Sequence, residues 1–136
     1  MNRIEAFSLS MLALCIWREA RSEPDEGLIA VGCVMRERVN NPKWWGDSYL
    51  SVITKRWQFS SMTDPGDPQL GAYPREDDPV FLRCLEIAEY VMDGSLEHPA
   101  PTATHYYADY ILAPNWASKG QFIKKIGRHL FFHLDS

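Results

Sequence analysis

One glutamate in this chain has neighbours whose types and spacing point to chemistry. Phe7, Met11 and Cys15 recur at steps of four residues, with Ile4 and Leu14 beside them, so Glu19 extends an apolar helical stripe by a further turn. Poor solvation on such a face disfavours the charged carboxylate and raises its pKa above the ordinary value of about 4.3. A carboxyl that keeps its proton near neutral pH can serve as a general acid. The competing use is structural, because a glutamate at a helix end can simply pair with Arg18 or Arg21.

Other chemistries fit the chain less well. His129 and His133 are four apart, but they sit in a β-favouring run without the glutamate of a helical zinc motif, and we expect no metal and no cofactor. Cys15, Cys33 and Cys84 lie in apolar helical patterns, where they read as buried thiols rather than nucleophiles or a disulfide framework. A nucleophile elbow and a glycine-rich phosphate loop are both absent.

The elements that must hold Glu19 follow from punctuation and periodicity. Residues 4–20 read as the first helix. Arg3 followed by an apolar run resembles a secretory signal, but Glu5 interrupts it and no small-x-small cleavage site follows. A second helix is predicted over 24–40, with Ser22 to Asp25 as its start and Asn40-Asn41-Pro42 as its stop; Leu28 to Met35 is apolar all round, so this helix is central. Gly32 in its middle points to a close approach, with the first helix as the expected neighbour. Short helices are predicted over 48–56 and 79–93. Between them, 61–79 carries Pro65, Pro68, Pro74, Pro79, Gly66 and Gly71 and reads as an irregular lip of a cleft. Two β-favouring runs, 102–107 and 129–133, are expected to pair antiparallel as a small ribbon. The fold class is therefore mainly α (α+β), in a single domain over 1–136.

Composition narrows the partners. A 46% hydrophobic and 24% charged chain is an ordinary globular domain, and a net charge of −4 makes no field for nucleic acid phosphates. The basic run Lys119, Lys124, Lys125 and Arg128 reads as a solvated face, with contact to an anionic polymer as the alternative. No stretch is long and apolar enough to insert in a membrane. Trp44, Trp45, Trp57, Tyr73, Tyr106, Tyr107, Tyr110 and Trp116 lie in loops or at element ends, where flat rings suit the apolar faces of sugars.

Three blocks in order carry a family resemblance. Ile16 to Pro24 with Gly27, Ala30-Val31 and Arg38-Val39, then Gln58-Phe59-Ser60, then Thr104 to Tyr107 with Lys125 to Phe131, resemble the cell-wall hydrolases of the spore cortex-lytic SleB/CwlJ type across 13–132. The resemblance implies a lysozyme-like helical domain acting on peptidoglycan glycan strands, with Glu19 as the catalytic residue. It implies lytic transglycosylation between N-acetylmuramic acid and N-acetylglucosamine, with Glu19 as sole acid and base. Trp57, Gln58, Ser60, Tyr106 and Trp116 are the expected substrate-binding residues. Alternation along a strand lets only one of Tyr106 and Tyr107 face the sugar, and Tyr106 is the choice, with Phe131 facing the core. Two alternatives stay open: a hydrolytic muramidase using a second carboxylate, with Asp64, Asp67 or Asp109 as partners, and a non-catalytic glycan-binding module. We expect a monomer made in the cytoplasm and acting on the cell wall, released in the manner of a phage endolysin.

Overall fold

The computed structural model describes residues 1–56 and 58–135. Among these residues five α-helices are formed: α1 (Arg3–Ala20), α2 (Asp25–Asn40), α3 (Tyr49–Thr54), α4 (Ser60–Thr63) and α5 (Pro79–Met92). Three strands follow, β1 (His105–Ala108), β2 (Gln121–Ile126) and β3 (His129–His133), with single 3-10 turns at Pro68–Gly71 and Asn115–Ser118.

Local chemistry explains most helix ends. The Asn2 side chain accepts the Glu5 N–H at the start of α1, Ser48 and Ser51 form a reciprocal capping box on α3, and Asp78 accepts from Val80 and Phe81 ahead of Pro79 at the start of α5. The expected cap on α2 is not made. Pro24 occupies the cap position with no side-chain bond, and Glu23 turns away toward the sheet instead.

α1, α2 and α5 pack on one another around Leu12, Ile16, Val31, Val34, Ile87 and Val91, all essentially sealed from solvent. Gly32 sits where they meet: a Cβ there would lie 3.1 Å from Ile16 and 3.1 Å from Val91, so α5 shares the close approach expected of α1 alone. The apolar stripe on α1 is buried only in its second half. Ile4 and Phe7 remain 68% and 54% exposed and Met11 and Leu14 half-buried, whereas Cys15, one turn before Glu19, is fully enclosed. Trp45 is also a core residue rather than a surface platform, fully buried with its indole N–H donated to the Arg38 carbonyl at 3.0 Å. Among the described residues, no helix is long and apolar enough to cross a membrane.

Segment 61–79 is more ordered than its proline and glycine content predicts. α4 and the 3-10 turn at Pro68–Gly71 both form, the latter capped by Asp67, which accepts the Gln69 N–H at 2.8 Å. The expected two-stranded ribbon is a three-stranded antiparallel sheet in the order β1-β3-β2. β2 escaped the sequence reading because it is an exposed edge strand with Lys124 and Lys125 side by side, and its alternation is broken by an irregularity between Phe122 and Lys124.

The β2–β3 turn is tied to the α1–α2 junction. Gly127 adopts φ +56, and the Glu23 side chain accepts the Arg128 N–H at 2.8 Å beside it. A Cβ on Gly127 would lie 2.6 Å from the Glu23 carboxylate, so both conformation and space demand glycine. Gly127→Ala is expected to destabilise the fold by roughly 2 kcal/mol, combining left-handed strain with displacement of Glu23, as measured by chemical denaturation.

Candidate active site

Glu19 lies in the last turn of α1 at the floor of a cleft of about 520 Å³. The cleft is lined by Trp44, Lys55, Arg56, Trp116 and Leu134 together with Arg38, Gln58, Phe59, His105 and Tyr106. Glu19 is the sole carboxylate lining it among the described residues.

Each carboxylate oxygen meets one hydroxyl. Tyr106 donates to Oε1 at 2.5 Å and Ser61 donates to Oε2 at 2.6 Å. Burial is the largest influence on Glu19 and pushes its pKa up; the Ser61 and Tyr106 hydrogen bonds pull in the opposite direction and do not cancel it, while the charge of Asp67 adds to the upward push. The Tyr106 phenol is itself driven well above its usual range, first by burial and then by Glu19, so it stays a neutral donor. The Cys15 thiol one turn below is likewise held protonated by burial.

Adjacent residues on α1 supply the acid and organise its setting. Arg18 is buried and donates through Nε to the Ala72 carbonyl at 2.9 Å and through a terminal nitrogen to the Ser61 carbonyl at 3.2 Å. It thereby clamps the 61–73 segment against α1 and holds Ser61 at Glu19. From α2, the buried Arg38 donates to the Thr104 carbonyl at 2.7 Å and to the Gln58 side-chain oxygen at 2.5 Å, joining the Gln58 part of the cleft lining to the entry of β1. Burial lowers the Arg38 pKa to about 10, which leaves it a cation.

The sequence-predicted residues fall in different places. Glu19, Gln58, Tyr106 and Trp116 all line the cleft. Gln58 accepts from Arg38 through its side-chain oxygen, and its amide nitrogen makes no hydrogen bond among the described residues, so it can donate to a ligand. Ser60 is exposed and lines an adjoining cavity of about 300 Å³, and its hydroxyl donates to Asp67 at 2.7 Å. The serine that reaches Glu19 is Ser61, since α4 begins at Ser60 and turns the next side chain inward. Trp57 lies outside the described residues. The strand register is as expected: Tyr106 pairs with the buried Phe131 on the helix-facing side, while Tyr107 packs against Trp116 and Phe132 on the other. Ser61, Arg38, Arg18 and His105 were missed as site residues. Their one sequence signal is that arginines inside otherwise apolar helices must find buried partners.

The acids expected as possible second carboxylates each have a partner other than Glu19: Asp109 pairs with Lys125 and Arg128, Asp64 accepts the Gly66 N–H, and Asp67 accepts from Ser60 and Gln69; Glu26, at the start of α2, pairs with Lys124. Those pairs also account for three of the four members of the basic run, which is a solvated face.

Comparison with known proteins decides the family. The model of the Cell Wall Hydrolase family matches residues 22–132, beginning three residues after Glu19. The chain belongs to the Cell Wall Hydrolase family. It is 28% identical over 124 residues to a spore cortex-lytic enzyme of Bacillus subtilis and 27% identical over 123 residues to one of Halalkalibacterium halodurans, each covering 90% of this chain. It spans about a third of the length of those relatives, 36% and 34%. The fold is that of the catalytic domain of the germination-specific lytic transglycosylase SleB from Bacillus anthracis, with TM-score 0.73 and 23% identity over 97% of this chain and 96% of that one. The SleB catalytic domain of Bacillus cereus gives TM-score 0.70 and 24% identity over 92% of this chain and 88% of that domain.

The Glu19 carboxyl should titrate above the ordinary carboxylate range, as read by carbon NMR of the labelled side chain. Because the Tyr106 bond favours the charged form, Tyr106→Phe should move that titration to still higher pH, and Ser61→Ala should do the same.

Proposed function

We propose that this member of the Cell Wall Hydrolase family cleaves the bond between N-acetylmuramic acid and N-acetylglucosamine as a lytic transglycosylase, with Glu19 as sole acid and base. The observation that carries this reading is the single carboxylate in the cleft, held where burial favours its protonated form. Inverting hydrolysis needs a second carboxylate about 6.5–9.5 Å from the first to activate water, and a retaining enzyme of the usual kind needs one about 5–5.5 Å away. No second acid lines this cleft among the described residues.

In the proposed reaction the protonated Glu19 delivers its proton to the bridging oxygen as the glycosidic bond breaks. The carboxylate left behind, stabilised by the Tyr106 and Ser61 hydroxyls, then accepts the proton of the muramic acid 6-hydroxyl as that oxygen closes on C1. The product carries a 1,6-anhydro end, and Glu19 is protonated again without any water being consumed. Trp44 and Trp116 both line the cleft and supply aromatic rings for the flanking sugars. The names of the spore cortex-lytic relatives support a wall substrate.

Glu19→Gln is expected to fold and to lose wall lysis by at least about 100-fold, because the amide keeps the shape but cannot deliver the proton. Mass spectrometry of the wild-type digest should show anhydro ends; reducing ends, heavier by one water, would instead establish hydrolysis.

A further inference from the structure

His105 lies in the cleft with Glu19, yet the acid–base chemistry has no use for it. It is 6% exposed, flanked by the rings of Trp45 and Trp116 at 5.9 and 5.0 Å, and begins β1 opposite Phe132. Its two nitrogens have different surroundings. Nδ1 lies 2.9 Å from the Thr104 hydroxyl oxygen. Nε2 makes no hydrogen bond among the described residues, and it is not one of their enclosed unpaired nitrogens, which are Arg18 NH2 and His129 Nδ1. Nε2 is therefore the nitrogen of this cleft-lining ring that is left for a ligand.

Thr104 determines what that nitrogen can offer. Its hydroxyl oxygen accepts the Leu134 N–H at 3.0 Å, and its one proton has two destinations, the Leu134 carbonyl at 3.4 Å or His105 Nδ1 at 2.9 Å. With the hydroxyl proton on the shorter contact, Nδ1 is an acceptor and the ring proton of the neutral imidazole sits on Nε2; with it on the Leu134 carbonyl, the proton sits on Nδ1. Burial first, then the charges of Arg38 and His133, push the His105 pKa down to about 3, so the ring stays neutral wherever the enzyme works.

We infer that His105 is a specificity residue whose Nε2–H, set by Thr104, donates into the cleft to the acetamido carbonyl of the sugar bound beside Glu19. The inference rests on the proposed glycan reading and adds to it which substituent the cleft reads. Neutral N-acetyl groups recur on every residue of such a strand, and a neutral donor enclosed by aromatic rings recognises them without a charge to desolvate. Removing the donor strands the carbonyl unpaired, which is how a buried polar contact discriminates.

The test pairs one substitution with one change of substrate. Soluble peptidoglycan strands are compared after N-deacetylation and after chemical re-acetylation, using wild type and His105→Phe, which keeps a ring against Trp45 and Trp116. Wild type should prefer the acetylated strand in kcat/KM, and His105→Phe should shrink that preference roughly tenfold, about one neutral hydrogen bond, with most of the loss in KM. His105→Gln, which keeps a donor, should recover part of it. A His105→Phe enzyme with the full wild-type preference would overturn the inference. Nitrogen NMR of the wild-type imidazole is an independent arm: Nε2 should carry the proton and shift on titration with N-acetylglucosamine oligomers but not with glucosamine oligomers, and a proton on Nδ1 would overturn the assignment even if the variant fails to fold. Wild type that cuts neither strand would refute the proposed reaction, while the NMR arm would still decide His105.

Discussion

The structure depends on keeping one carboxyl poorly solvated without giving it a direct ion pair. Glu19 meets two hydroxyls instead of a guanidinium, though Arg18, Arg21 and Arg38 are all nearby in sequence or space. Each arginine is engaged otherwise: Arg18 on the 61–73 segment, Arg38 on Thr104 and Gln58, and Arg21 over the Trp17 ring at 4.3 Å. A direct ion pair would pull the carboxyl pKa down and fix the charged form. Hydroxyls are reversible partners, since each can donate to a carboxylate or accept from a carboxyl, so they serve both protonation states.

That arrangement needs four elements to converge on one helical turn. α1 provides the acid, α4 the Ser61 hydroxyl, β1 the Tyr106 hydroxyl, and α2 the arginine that joins the entry of β1 to Gln58. The sheet in turn is held to the helices by Glu23, which reaches the β2–β3 turn from the α1–α2 junction. Residues 18, 19 and 23 therefore act over long sequence distances although they are nearly adjacent.

Legibility in the sequence followed the range of the interaction. α1, α2 and α5 could be read from periodicity and punctuation, and Tyr106 opposite Tyr107 from strand alternation, because those signals are local. Glu19 was legible because a carboxylate on an apolar stripe violates a local rule. Ser61 was not singled out as a partner of Glu19, since no composition signal says which serine a four-residue helix will turn inward. Likewise β2 was hidden, because an edge strand with one buried face position carries little alternation to read. The use of Glu23 as a link to the hairpin was invisible, as its partner is a backbone N–H 105 residues away.

Helix polarity sharpens the position of Glu19. The last turn of α1 carries the negative end of the helix dipole, where a cation is favoured and a carboxylate opposed, so both dipole and burial favour the proton. The linkage has a definite sign. A carboxyl whose folded pKa lies above its unfolded one binds its proton more tightly in the native state, so stability falls as pH rises through the unfolded pKa near 4.3 and the loss is complete above the folded pKa. Near neutrality the native state thus bears a strain that an uncharged isostere at position 19 would relieve. A residue that would be better replaced for stability, yet is surrounded by partners that accommodate both of its protonation states, is placed for proton transfer rather than for folding.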